Sequence, residues 1–160
     1  MTTVAERTQA PPYHAYATIT GVFVAGLALA GGVARLLGRD PRDQPWLDLA
    51  TLSAATFKAA RTIARDDVTS FIREPFVEGD PRDPEEEHAV QTGGMEQALG
   101  ELVTCSRCVG TWAAAGLATT QVIAPRFGRL LTWTLAGGAV NDFLQAGFVA
   151  LTQKANEFER

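Results

Sequence analysis

The chain has 160 residues, the length of one ordinary domain, and its formal net charge of −4 comes mostly from one acidic stretch. This balance does not favour nucleic acid as a partner, and two cysteines are too few for a disulfide framework. Mean hydropathy is close to zero, but that average hides long blocks without charge, which are typical of proteins that cross a bilayer.

Charged residues are segregated along the chain. Residues 8–34 and 108–125 contain no Asp, Glu, Lys or Arg, whereas 35–48 and 58–87 are rich in them. A soluble helical domain spreads its charges, because every surface helix needs a hydrated face. The segregation predicts an all-α integral membrane protein with three transmembrane helices plus one amphipathic or fourth spanning helix. Its first partner is then the lipid bilayer.

Residues 1–12 are polar and end in two prolines, which predicts a disordered tail. The clearest apolar segment, 13–37, follows, and Tyr13 and Tyr16 stand at its start, where aromatic residues mark the membrane surface. This segment is predicted to be the first transmembrane helix. A secretory signal peptide is the alternative, because Ala28-Leu29-Ala30 resembles a cleavage site, but the weak positive charge ahead of it argues against cleavage.

Residues 46–65 are predicted to form an amphipathic helix with a stripe of cations, Lys58, Arg61 and Arg65. The helix either lies on the membrane surface or spans the bilayer with its cations turned inward. If it lies on the surface, the nine basic residues of 35–107 share one face, and this bias places them in the cytoplasm. We favour this arrangement. If the helix spans, the basic residues are nearly balanced and the orientation stays open.

The segment after this helix is polar. Asp66 and Asp67 are suited to cap a short helix over 68–73. Residues 76–94 then form an acidic region that is predicted to be a solvated linker. Binding of a metal ion by its carboxylates and His88 is the lesser alternative, because no ligand spacing is recognisable.

The last part of the chain is predicted to be a hairpin of two long helices. Residues 95–124 form the first, 126–129 a basic turn, and 130–151 the last transmembrane helix. Trp112 and Trp133 lie within these helices, where packing or anchoring at the membrane surface is the expected role.

Asp142 falls near the middle of the last predicted transmembrane helix. An ionised side chain there needs a partner, and Arg61 or Lys58 is the natural counter-ion if residues 46–65 enter the membrane. A buried ion pair that fixes helix packing is the expected role. An ion or proton pathway through Asp142 is the alternative.

Cys105 and Cys108 are the one pair of residues that suggests chemistry. Residues three apart lie on one face of a helix, so both sulfurs would point the same way. A helix beginning just before them would lower the thiol pKa, but a helix that begins at residue 95 removes most of that effect. Three alternatives remain open: inert thiols, half of a metal site shared with a second chain, and a membrane thiol–disulfide carrier.

Two blocks of the sequence resemble the DUF1360 family of small bacterial membrane proteins, a domain of unknown function with some members labelled sporulation proteins. The blocks are ATFKAAR at 55–61, continued by DDVTSFIREPF at 66–76, and GELVTCSRCVGTW at 100–112. The resemblance covers roughly 46–152 and leaves 13–37 as an extra helix. It implies that the following residues occupy the signature positions of the family: Phe57, Arg61, Asp66, Arg73, Pro75, Phe76, Glu101, Cys105, Cys108, Gly110 and Trp112.

The resemblance implies a multi-pass protein of the bacterial cytoplasmic membrane but no activity, substrate or cofactor. Its charged signature suggests a polar cluster at one end of the helices, formed with the cysteines by Lys58, Arg61, Asp66, Arg73, Glu101 and Asp142. We therefore expect a non-enzymatic structural or partner-binding membrane component. The alternative is a membrane thiol–disulfide oxidoreductase that uses Cys105 and Cys108. A homo-oligomer is compatible with either function.

Overall fold

The computed structural model describes residues 11–39, 45–80, 83 and 86–158. Most of them are helical, so the prediction of an all-α chain is confirmed. The predicted tail lies outside the described residues except for its last two. The helices are α1 (Tyr13–Leu36), α2 (Trp46–Arg65), α3 (Ser70–Arg73), α4 (Met95–Thr104), α5 (Ser106–Ile123) and α6 (Pro125–Phe158). Two 3₁₀ turns, Asp67–Thr69 and Glu74–Phe76, and two short strands, β1 (Val77–Glu78) and β2 (His88–Ala89), complete the described elements.

Among the described helices, α1 alone is long and apolar enough to cross a membrane. Only 6 % of its most apolar stretch is buried, so it does not have the surroundings of a core helix in a soluble protein. Three such helices were predicted. The helices α5 and α6 fall short by composition, because polar residues such as Gln121 and Asn141 interrupt their apolar runs.

The chain divides into two compact units, and the first contains residues 1–28 and 61–109. Its centre is the fully buried side chain of Arg73. The guanidinium donates from Nε to Glu87 at 2.7 Å and from Nη1 to the backbone carbonyls of Ile63 at 2.9 Å and Asp66 at 3.1 Å. One arginine thus joins the end of α2, the start of α3 and the acidic segment.

The acidic segment is not the unstructured linker that the sequence predicted. Strands β1 and β2 pair antiparallel, with Val77 opposite Ala89 and Glu78 opposite His88. Helix α4 packs against this hairpin at Gly100, where an added Cβ would lie 2.9 Å from Cβ of Ala89. Residues 81–82 and 84–85 of the segment lie outside the described part of the chain. The prediction was wrong because the burial of Glu87 beside Arg73 orders the segment, a long-range effect that composition does not reveal.

The predicted capping by Asp66 is also wrong. Asp66 precedes the 3₁₀ turn, but its side chain makes no capping hydrogen bond. The hydroxyl of Thr69 donates instead to the carbonyls of Asp66, at 2.9 Å, and of Thr62. The turn is therefore stabilised through the carbonyls at the end of α2.

The second unit contains residues 29–60 and 110–160, with a core built on Ala55, Leu117 and Ala136. Helices α5 and α6 are separated by Ala124 alone, because α6 begins at Pro125, where the missing N–H of proline costs nothing. The predicted basic turn at 126–129 is instead the first turn of α6.

Helices α5 and α6 run antiparallel. The side-chain amide of Gln121 donates to the buried hydroxyl of Thr132 at 3.0 Å. Gly128 lies so close to α5 that an added Cβ would stand 2.5 Å from Cα of Gln121. This approach keeps the two helices together directly after the turn.

In the second unit α2 lies alongside α6 and parallel to it. Asp48 is 3.7 Å from Arg129, and further along both helices the rings of Phe57 and Phe143 stack with centroids 5.4 Å apart. Whether α2 lies on the membrane surface, as we favoured, or crosses the bilayer stays a prediction. Small residues such as Ala55 let α2 approach its neighbours closely.

The predicted topology is wrong at one point. It separated Arg39 from Arg126 and Arg129 by the membrane. In the structure Nη1 of Arg39 donates to the carbonyl oxygen of Val122 at 3.0 Å, so Arg39 lies at the end of α5, directly before α6. A cation at this position also satisfies carbonyls that have no partner within the helix.

Candidate functional site

The helix that was predicted over 95–124 is interrupted at Cys105. The backbone of Cys105 is extended, with φ −91° and ψ 100°, and α4 ends one residue before it. The hydroxyl of Thr104 donates to the carbonyl of Gly100 at 2.9 Å within the last turn of α4. Helix α5 then begins at Ser106, so Cys105 occupies the N-cap position of α5.

The sulfur of Cys105 is the capping acceptor at this position, which is usually a side-chain oxygen. The backbone N–H of Cys108 donates to Sγ of Cys105 over 3.4 Å, which satisfies one of the unpaired N–H groups at the start of a helix. The thiol of Cys108 donates to the same sulfur over 2.7 Å. Both thiols are free, Cys105 half-buried and Cys108 exposed. The break in the helix thus brings the two sulfurs together at the surface.

This arrangement makes the two thiols unequal. The pKa of Cys105 is lowered because the Cys108 thiol donates to its sulfur, because backbone N–H groups point at it, and because the charge of Arg107 is near, although desolvation opposes these effects. The first thiolate therefore forms on Cys105. The sequence missed this asymmetry because it predicted no helix start at this position.

A metal site within one chain finds no support in the geometry. Among the described residues, no three side chains of His, Cys, Asp or Glu are close enough to hold a metal ion. A site that uses Cys105 and Cys108 therefore needs ligands from a second chain, as structural zinc takes four.

The residues of the predicted polar cluster form three separately bonded groups. In the first, Nζ of Lys58 lies 2.8 Å from the carboxylate of Asp142, and the pair is partly exposed. The aliphatic part of the Lys58 side chain passes over Gly138, where an added Cβ would lie 3.6 Å from Cγ and Cε of Lys58. Arg61, the other candidate partner of Asp142, is exposed on α2 and takes part in none of the three groups. Conduction of ions through Asp142 stays a prediction.

The second group is centred on Arg73. Its guanidinium makes two bonds to Glu87 and one to the hydroxyl of Thr69, and Asp66 contributes a backbone carbonyl rather than its carboxylate. Each of the three guanidinium nitrogens donates to at least one acceptor, as burial of a charge requires. Glu87 was not singled out from the sequence, because it is one of several acidic residues in a row.

The third group is centred on Glu101 of α4. The hydroxyl of Tyr16 donates to one carboxylate oxygen, and the side-chain amide of Gln97 donates to the other at 2.9 Å. Gln97 in turn accepts the backbone N–H of Gly93 at 2.9 Å. Through Tyr16, which the sequence assigned only to the membrane surface, the start of α1 is held against α4.

Comparison with known proteins agrees with the two blocks in the sequence. The family model described as "Protein of unknown function (DUF1360)" matches residues 51–148, which include both cysteines, Arg73, Glu101 and Asp142 but leave out α1. The chain is also 32 % identical over 95 residues to the sporulation protein YjcA of Bacillus subtilis (strain 168), covering 80 % of that relative and 56 % of this chain. No solved structure matches. The chain belongs to the DUF1360 family.

Proposed function

We propose that this protein is a membrane-anchored thiol–disulfide exchange protein in which Cys105 is the attacking thiol and Cys108 the resolving thiol. The observation that carries the proposal is the interruption of the helix at Cys105. It places a thiol at the N-cap of α5, 2.7 Å from the sulfur of Cys108. A dithiol at the start of a helix favours the thiolate form, which is the nucleophile in exchange.

The exchange proceeds in two steps. The Cys105 thiolate attacks one sulfur of a disulfide in a substrate polypeptide, so a mixed disulfide forms and a substrate thiolate leaves and takes up a proton. Cys108, once deprotonated, attacks the sulfur of Cys105, which releases the second substrate thiol and leaves a Cys105–Cys108 disulfide. Two electrons pass from the dithiol to the substrate. The Cys108 thiol keeps its proton, which it donates to the sulfur of Cys105, until the mixed disulfide has formed.

The location that we propose is the bacterial cytoplasmic membrane. Helix α1, which is apolar and almost wholly exposed, supports one crossing. The contacts of α2 with α6, and of α5 with α6, support a further proposal that these three helices also cross the bilayer, giving a multi-pass protein. The basic residues are then nearly balanced between the two faces, so the orientation needs an experiment.

The test is a trapping experiment on the full chain in detergent. The Cys108→Ser variant, mixed with a disulfide-bearing peptide, should accumulate a mixed disulfide on Cys105, and mass spectrometry identifies that adduct. The matched Cys105→Ser variant should accumulate much less, because Cys108 lies inside α5 and not at its N-cap, where N–H groups stabilise a thiolate. Equal trapping by both variants, or by neither, would contradict the assignment of an attacking thiol.

A second candidate is a structural or partner-binding membrane component, which the sequence favoured. It is supported by the second half of α6, which exposes large apolar side chains over several turns, among them Phe143, Leu144, Phe148 and Leu151. Such a face is available to lipid, to another protein or to a second copy of the chain. Slow labelling of both thiols by maleimide, with no reversible disulfide, would favour this candidate. Zinc at half an equivalent per chain would instead indicate a metal site shared by two copies.

A further inference from the structure

The first two turns of α6 expose two cations beside two large apolar side chains. Arg129 and Leu130 lie three and four residues after Arg126, and Trp133 lies four and three residues after them, so the four residues share one face of the helix. All four are exposed, Arg129 by 68 % and Trp133 by 56 %. These four residues are called the α6 stripe below.

The α6 stripe lies beside the end of the helix that is apolar enough to cross a membrane. Helix α1 ends at Leu36. Three residues later, Nη1 of Arg39 donates to the carbonyls of Val122, at 3.0 Å, and of Ile123. Arg126 follows Ile123 by three residues in the chain. A bilayer that α1 crosses ends close to Leu36, so its headgroup layer reaches the α6 stripe.

The charge of this region is complementary to phosphate. The described cations are Arg35, Arg39, Arg126 and Arg129, and the one described carboxylate bonded to them is that of Asp48, 3.7 Å from Arg129. Counted over residues 35–48 together with 126 and 129, the sequence has five arginines and three aspartates, so an excess of cations remains. An exposed tryptophan beside them is typical of the layer between headgroups and acyl chains. A free phosphate ion would use the cations only, whereas a lipid also covers Leu130 and Trp133.

We propose that the α6 stripe binds the headgroups of anionic phospholipids in the leaflet in which α1 ends. The guanidinium groups of Arg126 and Arg129 bind the lipid phosphates, and Leu130 and Trp133 contact the glycerol and the upper acyl chains. This binding is separate from thiol exchange, because it uses none of the residues around Cys105. It goes beyond a general affinity for lipid, since it predicts a preference for negative charge at one place on the molecule.

The first test is a titration of the full chain in neutral detergent with phosphatidylglycerol or phosphatidylcholine, followed by native mass spectrometry. The wild-type protein should bind phosphatidylglycerol preferentially. Each cation near an anionic surface strengthens binding by about fivefold, so Arg126→Gln/Arg129→Gln should weaken the apparent affinity by about 25-fold. The charge-matched control Arg61→Gln/Lys154→Gln, which changes two exposed cations elsewhere, should leave it unchanged.

The second test measures depth and does not require changes in the stripe. In a variant with Trp46 and Trp112 replaced by Phe, Trp133 should be quenched strongly by phospholipids brominated near the glycerol and weakly by those brominated at the chain ends. The proposal is overturned if Arg126→Gln/Arg129→Gln binds phosphatidylglycerol as the wild type does, or if both double variants lose affinity equally. It is also overturned if inorganic phosphate displaces the lipid. In the quenching experiment, the absence of Trp133 quenching, or strongest quenching by lipids brominated at the chain ends, would overturn it as well.

Discussion

Replacement of Glu87 by Gln tests whether the Arg73 group holds the first unit together. Nε and Nη2 of Arg73 lie 2.7 and 3.3 Å from the two carboxylate oxygens, and both side chains are almost fully buried. Gln can accept one of these bonds, but its amide nitrogen directs N–H groups at the other donor of the guanidinium. Removal of one member of a buried ion pair costs about 3–5 kcal/mol. Because the introduced Gln keeps one hydrogen bond to Arg73, we expect the free energy of unfolding to fall by an amount near the lower end of that range, about 3 kcal/mol.

The measurement is thermal unfolding in detergent followed by circular dichroism. For a chain of this size, a loss of about 3 kcal/mol corresponds to a fall in Tm of roughly 6–12 °C. The control Glu157→Gln removes one member of the exposed Lys154–Glu157 pair and should leave Tm unchanged. The double change Arg73→Met/Glu87→Leu should recover most of the loss, because no buried charge is left unpaired. A Tm of Glu87→Gln within about 1 °C of the wild type, well below that range, would refute the buried ion pair.

Three further changes test the other described contacts. Gly100→Ala should destabilise the protein by about 1–3 kcal/mol, because its Cβ would meet the backbone carbonyl oxygen of Phe76 and would lie 2.9 Å from Cβ of Ala89. Thermal unfolding measures the loss. Cys108→Ala should move the pH profile of Cys105 alkylation to higher pH, because the donor that most lowers the pKa of Cys105 is lost. In a double-mutant cycle, Lys58→Met and Asp142→Asn should couple by more than about 1 kcal/mol, because the proposed crossing of α2 and α6 surrounds the pair with lipid rather than water.

Each of these changes has a result that would contradict its reasoning. Gly137→Ala is the control for Gly100→Ala, because nothing lies within 4 Å of an added Cβ there, and equal losses from the two would exclude contact with the hairpin. An unchanged alkylation profile would show that the Cys108 thiol does not act on Cys105. Coupling below about 1 kcal/mol between Lys58 and Asp142 would indicate that water surrounds the pair and would contradict the crossing of α2 and α6.

The predictions from sequence were best where one local pattern decides the structure. The bounds of α2 agree with the predicted 46–65, and those of α1 differ from 13–37 by one residue. Both are continuous runs bounded by turn-forming residues, so local signals suffice. The hairpin of β1 and β2 was missed because it depends on the pairing of Arg73 with Glu87. These residues are 14 positions apart, and nothing in the sequence distinguishes either of them from the other charged residues nearby.

The interruption at Cys105 was missed for a different reason. Neither glycine nor proline stands at 103–107, and the apolar pattern continues from α4 into α5, so every local signal favoured one helix. Cysteine is not among the residues that usually cap a helix, and its sulfur at the N-cap accepts a longer bond than an oxygen would. The extended backbone of Cys105 therefore departs from the structure that its neighbours favour. Departures of this kind concentrate at functional sites, because a site needs a geometry that regular structure does not supply. The break that replaces the predicted single helix brings Cys105 and Cys108 into contact and makes their thiols unequal, which is why we propose thiol exchange at this position.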